Sequence, residues 1–174
     1  MVGRLAERVP SHRSVSMEDD YPTCRETYVT LRVYHKTAEP AEVTRALGLE
    51  PSDAQMVGEV FEARNKKRTY EISGWFFCSK DAVESYDSEK HLDWLLSQIE
   101  SKKNALAALK QQGWWMDISC YWDSDQGDGG PTLSPALLKR LAAAETTLWF
   151  DVYFYGAYIR AQRGKKIRGF TGEV

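Results

Sequence analysis

The stretch "YVTLRVYH", residues 28–35, decides the fold. Val29, Leu31 and Val33 alternate with Tyr28, Thr30, Arg32 and Tyr34, which is the period of a strand with one buried face. Such a strand needs a helical layer on its apolar side, and the residues that follow supply one. In "EPAEVTRALGLE", Pro40 opens a short helix, Glu42 sits in its first turn, Val43, Ala46 and Leu47 share a face, and Gly48 stops it. "AQMVGEVF" (54–61) and "RTYEISGWFFC" (68–78) flank the turn-like "EARNKK", which predicts a hairpin.

From Asp87 to Gly113, Leu92, Leu95, Leu96, Ile99, Leu106 and Leu109 keep helical spacing, with Ser88 as predicted N-cap and Gly113 as C-cap. The apolar stripe lapses around Glu100 to Asn104, so Ser101 is a candidate cap for a second segment. "WWMDISCYW" (114–122) alternates again, "SPALLKRLAAAE" (134–145) is a Pro-initiated helix, and "TLWFDVYFY" (147–155) is a closing strand. The order β-α-β-β-α-β-α-β predicts an α+β fold. Its first six elements suit a ferredoxin-like (split βαβ) two-layer sandwich with a mostly antiparallel sheet, and an αβ unit is appended.

At 174 residues and 43% hydrophobic, the chain is sized for a single domain, placed here at 27–156. Residues 1–26 read as a disordered leader. Residues 157–174, with Arg160, Arg163, Lys165, Lys166 and Arg168, read as a solvated basic tail. A net charge of −2 gives no overall pull toward nucleic acid, which is not favoured as a partner. Cys24, Cys78 and Cys120 have neither disulfide nor zinc spacing, and no run is long and apolar enough to span a membrane. A cytoplasmic protein without cofactor is the expectation.

Chemistry is scarce. "CYWDSDQGDGGPTLSP" (120–135) joins a strand to a helix, as "YHKTAEP" (34–40) does. Aligning the tyrosines and prolines pairs His35 with Trp122 and Thr37 with Thr132, and leaves "DSDQGDGG" unmatched. Asp123, Asp125 and Asp128 offer oxygens to a hard cation, but Gly127 and Ser134 stand where a calcium loop needs ligands, so an EF-hand is excluded. Backbone amides near Gly129, Gly130 and Ser134 offer an anion site that the aspartates oppose. A pairing of His35 with Asp123 is the one catalytic geometry considered, and it serves the alternative reading of a metal-binding or hydrolytic protein. His91 is expected on the helix surface or a packing edge, and Cys120 as an inert buried thiol. No catalytic residue is assigned.

The outward residues are more informative. Tyr28, Thr30, Arg32 and Tyr34 join Trp115, Asp117, Ser119, Tyr121, Trp149, Asp151, Tyr153 and Tyr155 on one aromatic and polar face, where Arg32 is placed to pair with Asp117. Arginine among aromatic rings is typical of contact surfaces, so a protein partner or self-association is the expected use.

"YVTLRVYH", "EVTRALGLEP", "GWF", "HLDWLL", "CYW", "GGPTLSP" and "FDVYF", in this order, resemble the bacterial domain-of-unknown-function 4279 family over about residues 27–155. The resemblance implies a small cytosolic domain with no assigned activity or catalytic residues. Small bacterial domains of this sort include toxin-neutralising immunity proteins, so a partner-binding role of that type is expected by analogy.

Overall fold

The first strand, β1 (Cys24–His35), runs through the middle of the sheet with β5 (Ser73–Cys78) on one side and β6 (Trp115–Ser124) on the other. A computed structural model describes residues 23–124 and 127–154. The full order is β2-β5-β1-β6-β7, where β2 is Asp53–Gln55 and β7 is Thr147–Tyr153. Every pairing is antiparallel except β6 with β7, so the chain is α+β with a mostly antiparallel mixed sheet.

The alternation read in residues 28–35 is obeyed throughout β1. Val29, Leu31 and Val33 are fully buried, and they stand opposite Cys120, Ile118 and Met116 of β6. Four helices complete the core on that side: α1 (Ala41–Leu47), α2 (Ser88–Ile99), α3 (Lys103–Gln111) and α4 (Pro135–Ala143). Val43, Leu92, Leu95, Leu96, Ile99, Leu106, Leu109, Leu137 and Leu141 meet the apolar row of the sheet in one cluster. Trp75 of β5 joins it and donates its indole N–H to Thr44 Oγ1 of α1 at 3.0 Å, so this buried indole keeps its polar atom paired.

The helix boundaries follow from local chemistry. Gly48 closes α1 in the left-handed region at φ 61°. The end of α3 is a Schellman turn: Gly113 at φ 94° donates to the Lys110 carbonyl and Trp114 to that of Leu109. Ser134 caps α4 by accepting from the Leu137 N–H, with Pro135 at the first helical position.

Several expectations need correction. The N-cap of α2 is Asp87, whose carboxylate accepts from the Glu89 N–H, and Ser88 lies buried one position inside. The 88–112 stretch, which the sequence leaves open as one helix or two, is two, and the break is a 3₁₀ turn at Glu100–Lys102 that no side chain caps, Ser101 included. The hairpin is not two long strands. A turn at Met56–Glu59, with Gly58 at φ 86°, separates β2 from β3 (Val60–Ala63), which pairs with β4 (Lys66–Thr69) as a ribbon apart from the main sheet. The ribbon turns at Arg64 and Asn65, both at positive φ, inside the "EARNKK" segment. The first strand begins at Cys24, so residues 24–26, expected in the leader, belong to β1. Residues 1–22 of the leader, Tyr155 and the basic tail lie outside the described residues.

Leu31 is fully buried at the centre of the sheet, whereas Phe150 of β7 is 37% exposed. Leu31→Ala is therefore expected to cost about 2–5 kcal/mol in urea unfolding, and Phe150→Ala under ~1 kcal/mol. Similar losses at the two sites would contradict the placement of the core.

Candidate binding face

The sheet face opposite the helices is built by the second set of alternating residues. Antiparallel register sets Tyr28 opposite Tyr121, Thr30 opposite Ser119, Arg32 opposite Asp117 and Tyr34 opposite Trp115. Directly opposed side chains lie close enough to interact, and here they do. The Tyr28 and Tyr121 rings stack at 4.6 Å and 7°, and Tyr153 of β7 extends the row at 5.2 Å. Arg32 grips Asp117 through Nε and one terminal nitrogen at 2.7 and 2.8 Å, a two-pronged bond that raises the pKa of the guanidinium above its ordinary value. The same guanidinium lies 4.6 Å from the ring centre of Trp149. At the far end Tyr34 stacks on Trp115 at 5.8 Å and meets Phe76 edge-on at 5.5 Å.

Lys80, at the end of β5, bonds Glu26 at 2.6 Å and lies 5.0 Å from the Tyr28 ring. Burial raises the phenol pKa values of Tyr28 and Tyr34, so both stay neutral at physiological pH. The face therefore combines fixed rings, one anchored arginine and two prominent indoles: Trp115 is 44% exposed and Trp149 47%. Its ion pairs sit at the surface, where solvent screening leaves them little net contribution to stability. Their main effect is to hold side chains in place.

The structure brings Arg32, Tyr34 and Tyr121 together on this face, whereas Trp122 points the other way and is fully buried. Asp123 is 1% exposed and held by Arg25. Asp125 lies outside the described residues. Asp128 is exposed, and its backbone carbonyl accepts from Ser124 Oγ at 2.8 Å, while that oxygen accepts from the Gly127 N–H at 2.8 Å. Gly129, at φ 74°, turns the loop against Thr23, which a side chain at 129 would strike, and Gly130 and Thr132 lead into α4.

The pairing of His35 with Asp123 does not form. Asp123 is opposite Glu26 near the start of β1, and His35 ends that strand nine positions on, about 30 Å away at the rise of a strand. Antiparallel β1 and β6 send their outgoing loops to opposite ends of the sheet. His35 instead accepts the Thr37 and Ala38 N–H groups on Nδ1 at 3.0 and 2.7 Å, and its ring packs 5.0 Å from Trp114. It is a turn-capping residue.

Sequence reading missed a buried polar relay. His91, expected at the surface or a packing edge, is 1% exposed. Its Nε2–H donates to the Ser85 carbonyl at 3.0 Å, which leaves Nδ1 to accept the Ser79 hydroxyl at 2.7 Å, and Ser79 Oγ in turn accepts the Val29 N–H at 2.9 Å. The signal was helical spacing, since Ser88, His91, Leu92, Leu95 and Ile99 form one buried stripe of α2. The relay holds the 79–87 loop to β1 beside a groove of about 770 Å³, lined by Glu26, Thr27 and residues 80–86. With Ser79 fully buried and both its hydrogen bonds internal, the pair is structural. The thiols of Cys24 and Cys120 are inert as well, because burial pushes Cys24 up to about 11 and Cys120 up to about 12. Among the described residues no three His, Cys, Asp or Glu side chains gather as metal ligands.

Burial lowers the His91 pKa below its ordinary value, whereas the unfolded chain protonates near 6.5. The unfolded state then binds more protons as pH falls below about 7, so stability declines in that window and is level above it. His91→Gln is expected to cost about 1–3 kcal/mol at pH 7.5 and to remove part of the fall in Tm between pH 7.5 and 5.5. An unchanged pH slope would refute this account.

A family model described as "Domain of unknown function (DUF4279)" matches residues 25–155. Comparison with curated proteins and with solved structures returned no match.

Proposed function

Because the chain belongs to the DUF4279 family of domains of unknown function, its role has to be read from its own surface, and we propose that it is a non-catalytic protein-binding module. The observation that carries this reading is the ordered aromatic face, with Arg32 fixed between Asp117 and Trp149 beside the exposed ring of Trp115. Trp, Tyr and Arg are the residue types that dominate binding energy at protein interfaces. Side chains already held by stacking and ion pairs lose little freedom when a partner arrives. Asp117 and Asp151 keep the face from being basic, which favours a protein over nucleic-acid bases.

The strand order β2-β5-β1-β6 supports the split βαβ, ferredoxin-like description, with α4 and β7 appended. Three free cysteines, two of them buried, suit a reducing cytoplasm. No helix among the described residues is long and apolar enough to cross a membrane. An immunity-type pair with a toxin is one instance of this role.

Affinity capture from native lysate, followed by titration of the isolated partner, tests the proposal. Arg32→Ala and Trp115→Ala are each expected to weaken binding tenfold or more, about 1.4 kcal/mol, with unchanged circular dichroism. A partner bound equally well by both variants, or no stoichiometric partner at all, would overturn it.

A further inference from the structure

The two edges of the sheet differ sharply. One edge, β2, is three residues long and begins with Asp53, a short polar strand that resists further pairing. The other edge, β7, is seven residues long, in unbroken register with β6, and contains no Lys, Arg or Pro. Its sole charge is Asp151, so it lacks the devices that keep an edge unpaired. Its side chains are exposed on both faces: Trp149 is 47% exposed on the aromatic side, and Phe150 and Val152 are 37% and 41% exposed on the helical side. Phe154, 49% exposed, directly follows the strand. Where α2 and α3 cover β1 and β6 with apolar side chains, α4 leaves β7 half covered.

We propose that β7 pairs with β7 of a second copy of this chain, antiparallel about a two-fold axis at Phe150, to form a continuous ten-stranded sheet. A two-fold axis perpendicular to the sheet must pass beside one residue, because opposed side chains share a face. Centring on Asp151 sets that carboxylate against its own copy, which is unfavourable. Centring on Phe150 overlaps all seven residues of Thr147–Tyr153 and sets Phe150 against Phe150, Leu148 against Val152, and Trp149 against Asp151. Apolar side chains then face apolar ones on the helical side, and no like charges meet. At about 150–250 Å² for a whole aromatic side chain, the half-exposed Trp149, Phe150 and Phe154 with Val152 and the strand's backbone edge offer roughly 500 Å² per copy. The total of about 1,000 Å² is where specific interfaces begin, which implies a reversible dimer. This surface is the sheet edge and its helical side, together with Trp149 and Asp151 at the border of the aromatic face, so the test is read at Phe150, which points to the helical side.

Sedimentation of the full chain from ~1 to ~500 µM tests it, a range that brackets micromolar affinity. The expected result is conversion from one 19.9 kDa chain to twice that mass, with Phe150→Lys raising the dissociation constant at least ~tenfold and Trp115→Ala leaving it unchanged. A chain monomeric throughout, or a dimer indifferent to Phe150→Lys, would overturn the proposal. Oxidation tests the register separately. Phe150→Cys faces itself at about 4.5–5.5 Å between Cα atoms and is expected to link the copies, whereas Val152→Cys, opposite Leu148, is not. Linking at 152 as efficient as at 150, measured against the unsubstituted chain with its three free cysteines, would overturn the two-fold axis at Phe150.

Discussion

The whole structure depends on β1 lying inside the sheet. A strand hydrogen-bonded on both edges and packed on one face has no freedom of register, because a slip of one residue would send Val29, Leu31 and Val33 outward and Arg32 into the core. Burial of those three side chains thus fixes where the opposite set stands. The aromatic face is the complement of the core, and its order is inherited from the packing beneath it. The same strand end that carries Tyr28 receives the Ser79 and His91 relay through the Val29 N–H, so the 79–87 loop is positioned by the backbone of the strand it crosses.

What was legible in the sequence was what periodicity encodes. The alternation in residues 28–34 and 115–121 gave both faces and the pairing of Arg32 with Asp117, which the register and two hydrogen bonds bear out. Pro135 behind Ser134, and the glycines at 48 and 113, marked helix ends correctly because their backbone requirements are local. Reading failed where a boundary depends on a non-local partner. β2 ends at Gln55 because its neighbour β5 reaches only so far, and the ribbon of β3 and β4 leaves the sheet through a turn that Glu59 helps to form by accepting the Met56 N–H. A pairing of His35 with Asp123 needs the end of β1 and the loop after β6 to lie at one level, but neighbouring antiparallel strands deliver those loops to opposite ends of the sheet. His91 was misjudged because a histidine in a stripe of leucines reads as a surface residue until its two partners, 6 and 12 positions away, are known.

The polar atoms of the interior are tied to backbone as often as to side chains. Ser79 serves Val29, Ser124 serves Gly127 and Asp128, and Thr27 donates to the Tyr121 carbonyl at 2.7 Å. Each bond is short-armed and directional, so these hydroxyls act as rivets between neighbouring segments. That distribution ties the 79–87 loop to β1 and residues 127–128 to the end of β6.

The acidic loop before α4 is fastened at its two ends, at Ser124 and at Ser134. Ser124 fastens the exit of β6, while Glu89 of α2 accepts the backbone N–H and the hydroxyl of Ser134 at 2.8 and 2.5 Å and so fastens the start of α4. Between two such moorings, added residues change only the entropy of a closed segment, which grows as the logarithm of its length. The loop is therefore a place where the length and chemistry of the chain can vary without the sheet or helix being asked to move.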